Sequence, residues 1–336
     1  MSDTTPPLQP LLDDAVIVLH APTQAWSDAD GSMGSAAIHG VYHGDVRHIR
    51  AVALSVQGTE IESIAHASTA PDTAHFTAVL RGIDDDQADP KVRLDRHRSV
   101  RDGAFAERLI LSSALPTPIV TTVQVRVVPD FAPLQRVKAG LSGEAAWAWD
   151  AETATVSAGE ASFSISAPGA VVRTDEGVGI LLRWEVELAP RGAVELTWTA
   201  ALEDPTLVVT GPAGDGRARL PEVADARLRR WLERAGGDLD ALRLASPEHP
   251  DDAFYAAGAP WFFTLFGRDS IWAARLALRA DPALAASTLR VLARLQGTEH
   301  DAATAEAPGK IPHELRSGAL SLPNEGVHLP PLYYGT

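Results

Sequence analysis

The chain has no cysteine, so disulfide staples and thiolate metal sites are excluded. It has no excess of positive charge; the formal net charge is -15. That balance argues against nucleic acid, whose phosphates need a basic face, and against anionic membrane surfaces. A neutral sugar polymer is compatible with either sign. The first residues, MSDTTPPLQPLLDDAVIVLHAP, lack a positive region, and their apolar stretch is short and follows two Asp. Neither a signal peptide nor a membrane span is read there, so a cytoplasmic location is expected. There is no Gly-rich phosphate loop: Gly211-Pro212-Ala213-Gly214-Asp215-Gly216 does not open an apolar strand–helix unit. No nucleotide or other cofactor is therefore expected. No CxxC, HExxH or serine nucleophile elbow is present.

Three histidines, His39, His43 and His48, sit near Asp45. Their region reads as turn and strand, where such spacing does not build a ligand cage, and no metal is expected. Asp45 and Arg47 are expected to pair in a tight turn that pins strand ends. Asp84-Asp85-Asp86 lacks the glycine and spaced ligands of a calcium loop and reads as a solvated surface turn.

What is present is enough for two domains. The 336 residues are 45% hydrophobic and 22% charged, ordinary for globular protein. Residues 1–12 form a Pro-rich tail. From about 13 to 204, within a first domain placed at 13–210, the dominant period is two. Ile119, Thr121, Val123, Val125 and Val127 alternate with Gln124 and Arg126; Trp184, Val186 and Leu188 alternate with Glu185 and Glu187, and Val194, Leu196 and Trp198 with Glu195 and Thr197. These are strands with one buried face. Pro190-Arg191-Gly192 and Gln57-Gly58-Thr59 read as hairpin turns. Many short strands at regular spacing predict an antiparallel β-sandwich.

The period changes at residues 211–245, a linker followed by an amphipathic helix, or a pair of helices broken at Gly236-Gly237. Two more helices are predicted beyond it. One runs from about Ser270 to Ala280. The next has Asp281 as N-cap and Pro282 at its first position. Leu284, Thr288, Val291, Leu292 and Leu295 share its inner face, and Gly297 marks its stop.

The most informative stretch is Pro260-Trp261-Phe262-Phe263-Thr264-Leu265-Phe266-Gly267-Arg268-Asp269-Ser270. An apolar wall leads into an Arg–Asp pair on a turn, which is the chemistry of a sugar subsite. Aromatic faces stack on a pyranose, Asp accepts from hydroxyls, and Arg donates or holds the Asp. The alternative is an ion pair locking a domain junction. On the pair alone the two readings weigh equally.

This stretch, together with Gly309-Lys310-Ile311-Pro312-His313-Glu314-Leu315-Arg316 and Tyr333-Tyr334-Gly335-Thr336, resembles the start of the catalytic domain of bacterial glycogen-debranching, amylo-α-1,6-glucosidase-like proteins. Gly44-Asp45-Val46-Arg47-His48 and Phe105-Ala106-Glu107-Arg108-Leu109 are similar to the β-rich domain that precedes it in that family. The resemblance implies a β-sandwich followed by the first helices of an incomplete glucoamylase-like (α/α)6 barrel, in residues 246–336. It implies an α-glucan or oligosaccharide substrate and hydrolysis with inversion. Arg268 and Asp269 would hold hydroxyls of the bound glucose, with Trp261 and Phe266 as its wall. His313 and Glu314 would be further sugar contacts, or Glu314 would form a loop salt bridge with Arg316 or Lys310. Plain core packing is the alternative for Trp261 and Phe266, and it weighs at least as much as a sugar contact for Phe262 and Phe263. The acid and base of the family fall beyond Thr336. A closed toroid needs more helices than follow Asp269, so a truncated chain, inactive alone, is expected; a shortened protein that borrows helices is the alternative. Two other functions stay open: a glucan-binding or assembly module that does not cut, and a glycosidase of the same barrel class acting on another glycoside.

Overall fold

A computed structural model of the chain describes residues 10–85, 87–141, 143, 146–175, 178–214, 219–322 and 327–335. Residues 1–9 of the expected tail, and Asp86, Asp215, Gly216 and Thr336, lie outside the described residues. The chain divides into two compact units. The first comprises the residues up to Val18 together with Ala25–Pro205, and the second comprises Leu19–Gln24 and Thr206–Thr336.

The first unit is built from strands. In chain order these are β1 (Val16–His20), β2 (Thr23–Ser27), β3 (Gly40–His43), β4 (Val46–Val56), β5 (Glu60–Ala70), β6 (Thr73–Arg81), β7 (Val92–Arg101), β8 (Ala104–Ser113) and β9 (Ile119–Pro133). A short helix, α1 (Leu134–Lys138), follows. Then come β10 (Ala148–Asp150), β11 (Thr155–Ala158), β12 (Ala161–Ser166), β13 (Val171–Asp175), β14 (Gly179–Leu188) and β15 (Ala193–Glu203). They form a seven-stranded sheet in the order β1-β2-β3-β4-β9-β14-β13 and an eight-stranded sheet in the order β10-β11-β12-β15-β8-β7-β6-β5. The pairings within β3 to β15 are antiparallel.

The alternation read from the sequence sets the inner faces. Val123, Val125, Val127, Leu182 and Trp184 from one sheet share a core with Leu94, Phe105, Leu109, Phe163 and Trp198 from the other. Burying each such side chain contributes about 1.5–3 kcal/mol. The architecture is the expected antiparallel β-sandwich.

Two connections differ from the reading. Gln57-Gly58-Thr59 joins β4 to β5, and Pro190-Arg191-Gly192 joins β14 to β15. In both cases the strands lie in different sheets, so each turn passes between layers and closes no hairpin. Period two fixes which face of a strand is buried and leaves its partner open. Arg47 also differs. Its Nε donates to Asp130 Oδ2 at 2.6 Å, and its Nη1 to Ala37 O at 2.6 Å and to His39 O at 3.3 Å. The pairing expected inside the turn with Asp45 is thus supplied from β9. Register irregularities between Arg47, Ile49 and Ala51 interrupt the β4–β9 ladder. Such bulges let the consecutive residues Arg47, His48 and Ile49 all be buried.

The second unit holds α2 (Ala226–Asp240), β16 (Arg243–Ser246), β17 (His249–Tyr255), α3 (Gly267–Ala277), α4 (Pro282–Arg294), β18 (Glu314–Leu315), β19 (Leu320–Leu322), β20 (Val327–Leu329) and β21 (Leu332–Tyr333). α2 is one helix that continues through Gly236-Gly237, so no pair forms. Asp225 caps it, accepting from Arg227 N at 2.9 Å and Leu228 N at 2.8 Å. Its Leu228, Trp231 and Leu239 are exposed. α4 follows the reading closely. Asp281 Oδ1 accepts from Leu284 N at 2.9 Å, and Leu284, Thr288, Val291 and Leu292 are buried. The core of the unit joins Leu244, Phe254, Phe263, Leu265, Val291 and Leu292. Among the described residues no helix is long and apolar enough to cross a membrane.

Candidate functional site

α3 begins at Gly267, three residues earlier than the sequence suggests, so Arg268 and Asp269 lie in its first turn and not on a preceding loop. The reason is a close backbone contact. Gly267 N donates to His313 O at 3.2 Å, and a Cβ on Gly267 would sit 2.2 Å from Pro312 O. Only glycine allows the approach. A carboxylate in a first helical turn also faces the positive end of the helix dipole.

The same contact brings the three quoted stretches together. Phe266 and Glu314 form an isolated antiparallel bridge, and Leu315 N donates to Leu265 O at 3.1 Å. Glu314 and Leu315 pair in turn with Tyr333 and Leu332, and His313 N donates to Tyr333 O at 2.6 Å. A ladder of three short segments thus carries Phe266, His313, Glu314 and Tyr333. The rings follow the backbone. Phe266 meets His313 edge-on at 5.7 Å, and His313 meets Tyr333 at 6.0 Å. Tyr334 is tied elsewhere, its OH donating to Leu295 O at 2.8 Å.

The charged residues divide into two kinds. Arg268 and Asp269 are open to solvent, with side chains 68% and 45% exposed and Nε to Oδ2 at 3.9 Å. An exposed pair of that length stabilises little, so the domain-lock alternative is not what the pair does. Glu314 is buried and lies 3.3 Å from Arg316 Nε. Of the two salt bridges considered for Glu314, the one to Arg316 forms; the Lys310 Nζ donates to Ala305 O at 2.7 Å. Arg316 also reaches Trp261 O with Nη2 at 2.6 Å and lies over the Phe266 ring at 5.5 Å. It is the residue that knits the aromatic run to the His-Glu segment. The sequence offered one signal for that role, its place two residues after Glu314.

The aromatic run is sorted differently from the reading. Trp261, Phe263 and Phe266 are buried, at 5%, 1% and 6% exposure, whereas Phe262 is 45% exposed. Phe262 meets Phe266 edge-on at 5.5 Å. It is therefore the aromatic most available to a ligand, whereas Phe263 packs in the core and Trp261 and Phe266 are largely buried as well. A small cavity of about 140 Å³ in this unit is lined by Phe254, Leu265, Leu295 and Leu315 among others. None of Arg268, Asp269, His313 and Glu314 lines it.

The histidines near Asp45 belong to the sandwich. His43 and His48 rings are 6.0 Å apart, and burial lowers both to about 4. Burial also lowers His39, against the pull of Asp28. Among the described residues no group of three or more such side chains is placed to hold a metal ion. The Phe105–Leu109 segment supplies Glu107, which accepts from Arg96, Arg98 and Trp198 inside the sandwich.

Comparison with curated proteins finds no match. Among solved structures, the chain is similar to a protein described as a kojibiose phosphorylase from the human microbiome, at 7% identity and a TM-score of 0.36. That match covers 59% of this chain and 33% of the phosphorylase, about a third of its length. It is also similar to a protein described as an aldose 1-epimerase from Escherichia coli K12, at 10% identity and a TM-score of 0.35, covering 56% of this chain and 98% of that one. Residues 18–199 match the family described as the N-terminal domain of some glycogen debranching enzymes. That span is more than half of the sequence and coincides with the β-sandwich, and the chain belongs to this family.

Proposed function

We propose that the chain serves an α-glucan glycoside hydrolase of the debranching type, amylo-α-1,6-glucosidase-like, acting on cytoplasmic glycogen. In that reaction water displaces glucose from an α-1,6 branch. One carboxyl group protonates the leaving oxygen and another takes the proton from water. Neither role is assigned here to Asp269 or Glu314. The six residues Trp261, Phe266, Arg268, Asp269, His313 and Glu314 form instead a subsite that grips one glucose.

The observation that carries this reading is the convergence of Gly267, His313 and Tyr333 on one short ladder. It puts a solvent-open Arg–Asp pair directly after a rigid aromatic segment. Asp269 accepts from sugar hydroxyls and Arg268 donates to them. Trp261 and Phe266 supply the apolar wall, with Phe262 as its exposed edge. Arg316 holds Glu314 and the Trp261 carbonyl in place.

A second reading, a module that holds glucan without cutting it, is favoured by the burial of Glu314 against Arg316. Buried and accepting from Arg316 Nε, Glu314 braces the subsite and does not face a bond to be cut.

Titration of the chain with panose, a trisaccharide ending in an α-1,6-linked glucose, tests the subsite. Asp269→Asn should weaken binding about 10–150-fold, the loss of hydrogen bonds to a charged group. Equal affinity in wild type and variant would leave the pair without a role in binding sugar. Glucose release from a branched dextrin by a homologous chain that also carries the acid and base, slowed by the substitution matching Asp269→Asn, then separates hydrolase from binding module.

A further inference from the structure

A cleft of about 340 Å³ opens in the β-sandwich, within the ~300–1,000 Å³ range of small-molecule sites. It is lined by Asp30 and Ser32 of the loop after β2, by Ser63 of β5, by Phe76 of β6, and by Leu94 and Arg96 of β7. Arg96 makes it more than a surface dent. The side chain is 3% exposed, and Nε and Nη2 donate to Glu107 Oε1 and Oε2 at 2.8 and 2.9 Å. Its remaining nitrogen, Nη1, has no hydrogen-bond partner among the described residues. A fixed guanidinium in a cleft with an idle NH2 group is a pre-oriented donor waiting for an acceptor.

The loop in front of it is shaped to leave that donor free. Gly31 has φ +84°, and a Cβ there would stand 3.1 Å from Arg96 Nη1 and 3.0 Å from Phe76 Cδ2. Glycine keeps the space clear. The loop is pinned in turn, because Arg98 Nη2 donates to Gly31 O. Asp30 accepts from Ser32 N at 2.7 Å and Ser32 Oγ at 3.1 Å, which leaves lone pairs on an exposed carboxylate.

The charges around the cleft cancel. Arg96 and Arg98 are balanced by Glu107 and Asp30, so neither an anion nor a cation is selected. Hydroxyls, one idle donor, one carboxylate and apolar edges from Phe76 and Leu94 suit a neutral, polyhydroxylated ligand with C–H faces. We propose that this cleft is a second carbohydrate-binding site, which holds a sugar unit of a glucan chain through Arg96, Asp30, Ser32 and Ser63. That the ligand is a neutral sugar rests on the cleft alone; that it is an α-glucan rests on the proposed function. A second grip on a branched polymer raises its effective concentration at the first.

The test uses the full chain carrying Asp269→Ala, which silences the other site, and titrates it with maltoheptaose. The cleft should still bind. Adding Ser63→Trp, which fills the mouth from an exposed position, or Asp30→Ala should each weaken that binding by about tenfold or more, ~1.4 kcal/mol. Thermal unfolding of each variant checks that it folds. No binding of maltoheptaose, mannohexaose or cellohexaose to Asp269→Ala, or binding that neither cleft substitution reduces, overturns the proposal. Binding of mannohexaose or cellohexaose but not maltoheptaose, lost in both cleft variants, upholds the cleft and removes the α-glucan reading.

Discussion

Glu107→Gln is the substitution that most directly tests how the sandwich is held together. Glu107 and the two arginines on it have side chains 0%, 3% and 1% exposed. Its carboxylate receives Arg96 Nε at 2.8 Å and Nη2 at 2.9 Å, Arg98 Nε at 3.0 Å and Nη2 at 2.8 Å, and Trp198 Nε1 at 3.1 Å. Burial alone would raise this carboxyl, but the Arg96 and Arg98 charges outweigh it and hold it below its ordinary value of 4.5. Glutamine keeps the shape, loses the charge, and turns an NH2 group toward guanidinium donors. Two cations are then left in an apolar layer. Breaking a buried pair in this way costs about 3–5 kcal/mol. At about 2–4 °C per kcal/mol for a domain of this size, the sandwich transition should fall by roughly 6–20 °C. Calorimetry with urea unfolding at pH 7, followed by near-ultraviolet circular dichroism, measures it. The folded carboxyl titrates below 4.5, so its contribution is complete above that pH and fades as pH drops through the folded value. The gap between wild type and variant should therefore narrow in acid. A loss under about 1 kcal/mol at pH 7, the scale of a surface pair, would refute the reasoning.

Other substitutions probe other links. His43 and His48 are held near 4 by burial against an ordinary 6.5, so each adds stability that is complete above 6.5 and lost as pH falls toward 4, at ~1.4 kcal/mol per pH unit. His48→Gln should reduce the slope of stability against pH across that window by about one proton's worth, ~1.4 kcal/mol per pH unit; an unchanged slope would show that the ring does not titrate there. Gly267→Ala should destabilise the second unit by about 1–3 kcal/mol through the clash with Pro312 O, read as faster proteolysis around residues 309–316. A wild-type digestion pattern would place the helix start elsewhere. Asp281→Ala removes the α4 cap and the 3.1 Å bond from Arg243 Nη1, at a cost of about 1–3 kcal/mol. Asp281→Asn keeps the cap and should cost less in the same melt, and equal losses would leave the cap without weight.

The sequence made faces legible and partners obscure. Val123, Val125 and Val127 declare which side of β9 is buried, because a polar residue there would lack a partner. Nothing in their alternation says that the turn at Pro190-Arg191-Gly192 changes sheets, since layer assignment depends on contacts far apart in sequence. α4 is readable to its ends because Asp281, Pro282 and Leu284 act within one turn. The start of α3 is not, since Gly267 reads as a turn residue when its task is a 3.2 Å backbone contact with His313, distant in the chain. In the candidate site, the residue types were visible and their exposure was not. Phe262 and Phe266 differ in exposure because the segment is irregular, and an irregular segment has no period from which to infer a face. Glu107 sat in a quoted motif, but its partners Arg96 and Arg98 could be recognised only once β7 and β8 were placed side by side.

Ion pairs do opposite work in the two units. Arg268–Asp269 is open and long, adds little to stability, and is free to exchange its partners for sugar hydroxyls. Arg96–Arg98–Glu107 is closed, and its geometry forces an imbalance. One carboxylate has about four lone-pair positions, and five N–H groups already converge on Glu107. It has no capacity left for Arg96 Nη1. A second carboxylate inside the sandwich would satisfy that nitrogen at the cost of another buried charge. An open cleft with Asp30 at its lip meets the same need with water or a ligand hydroxyl. The donor proposed to read sugar is thus left over once Glu107 is saturated, as is the buried Arg98 Nη1, which has no partner among the described residues. It follows that Glu107→Gln should weaken maltoheptaose binding to the cleft as well as destabilise the sandwich, because Nη1 keeps its aim only while Nε and Nη2 are held.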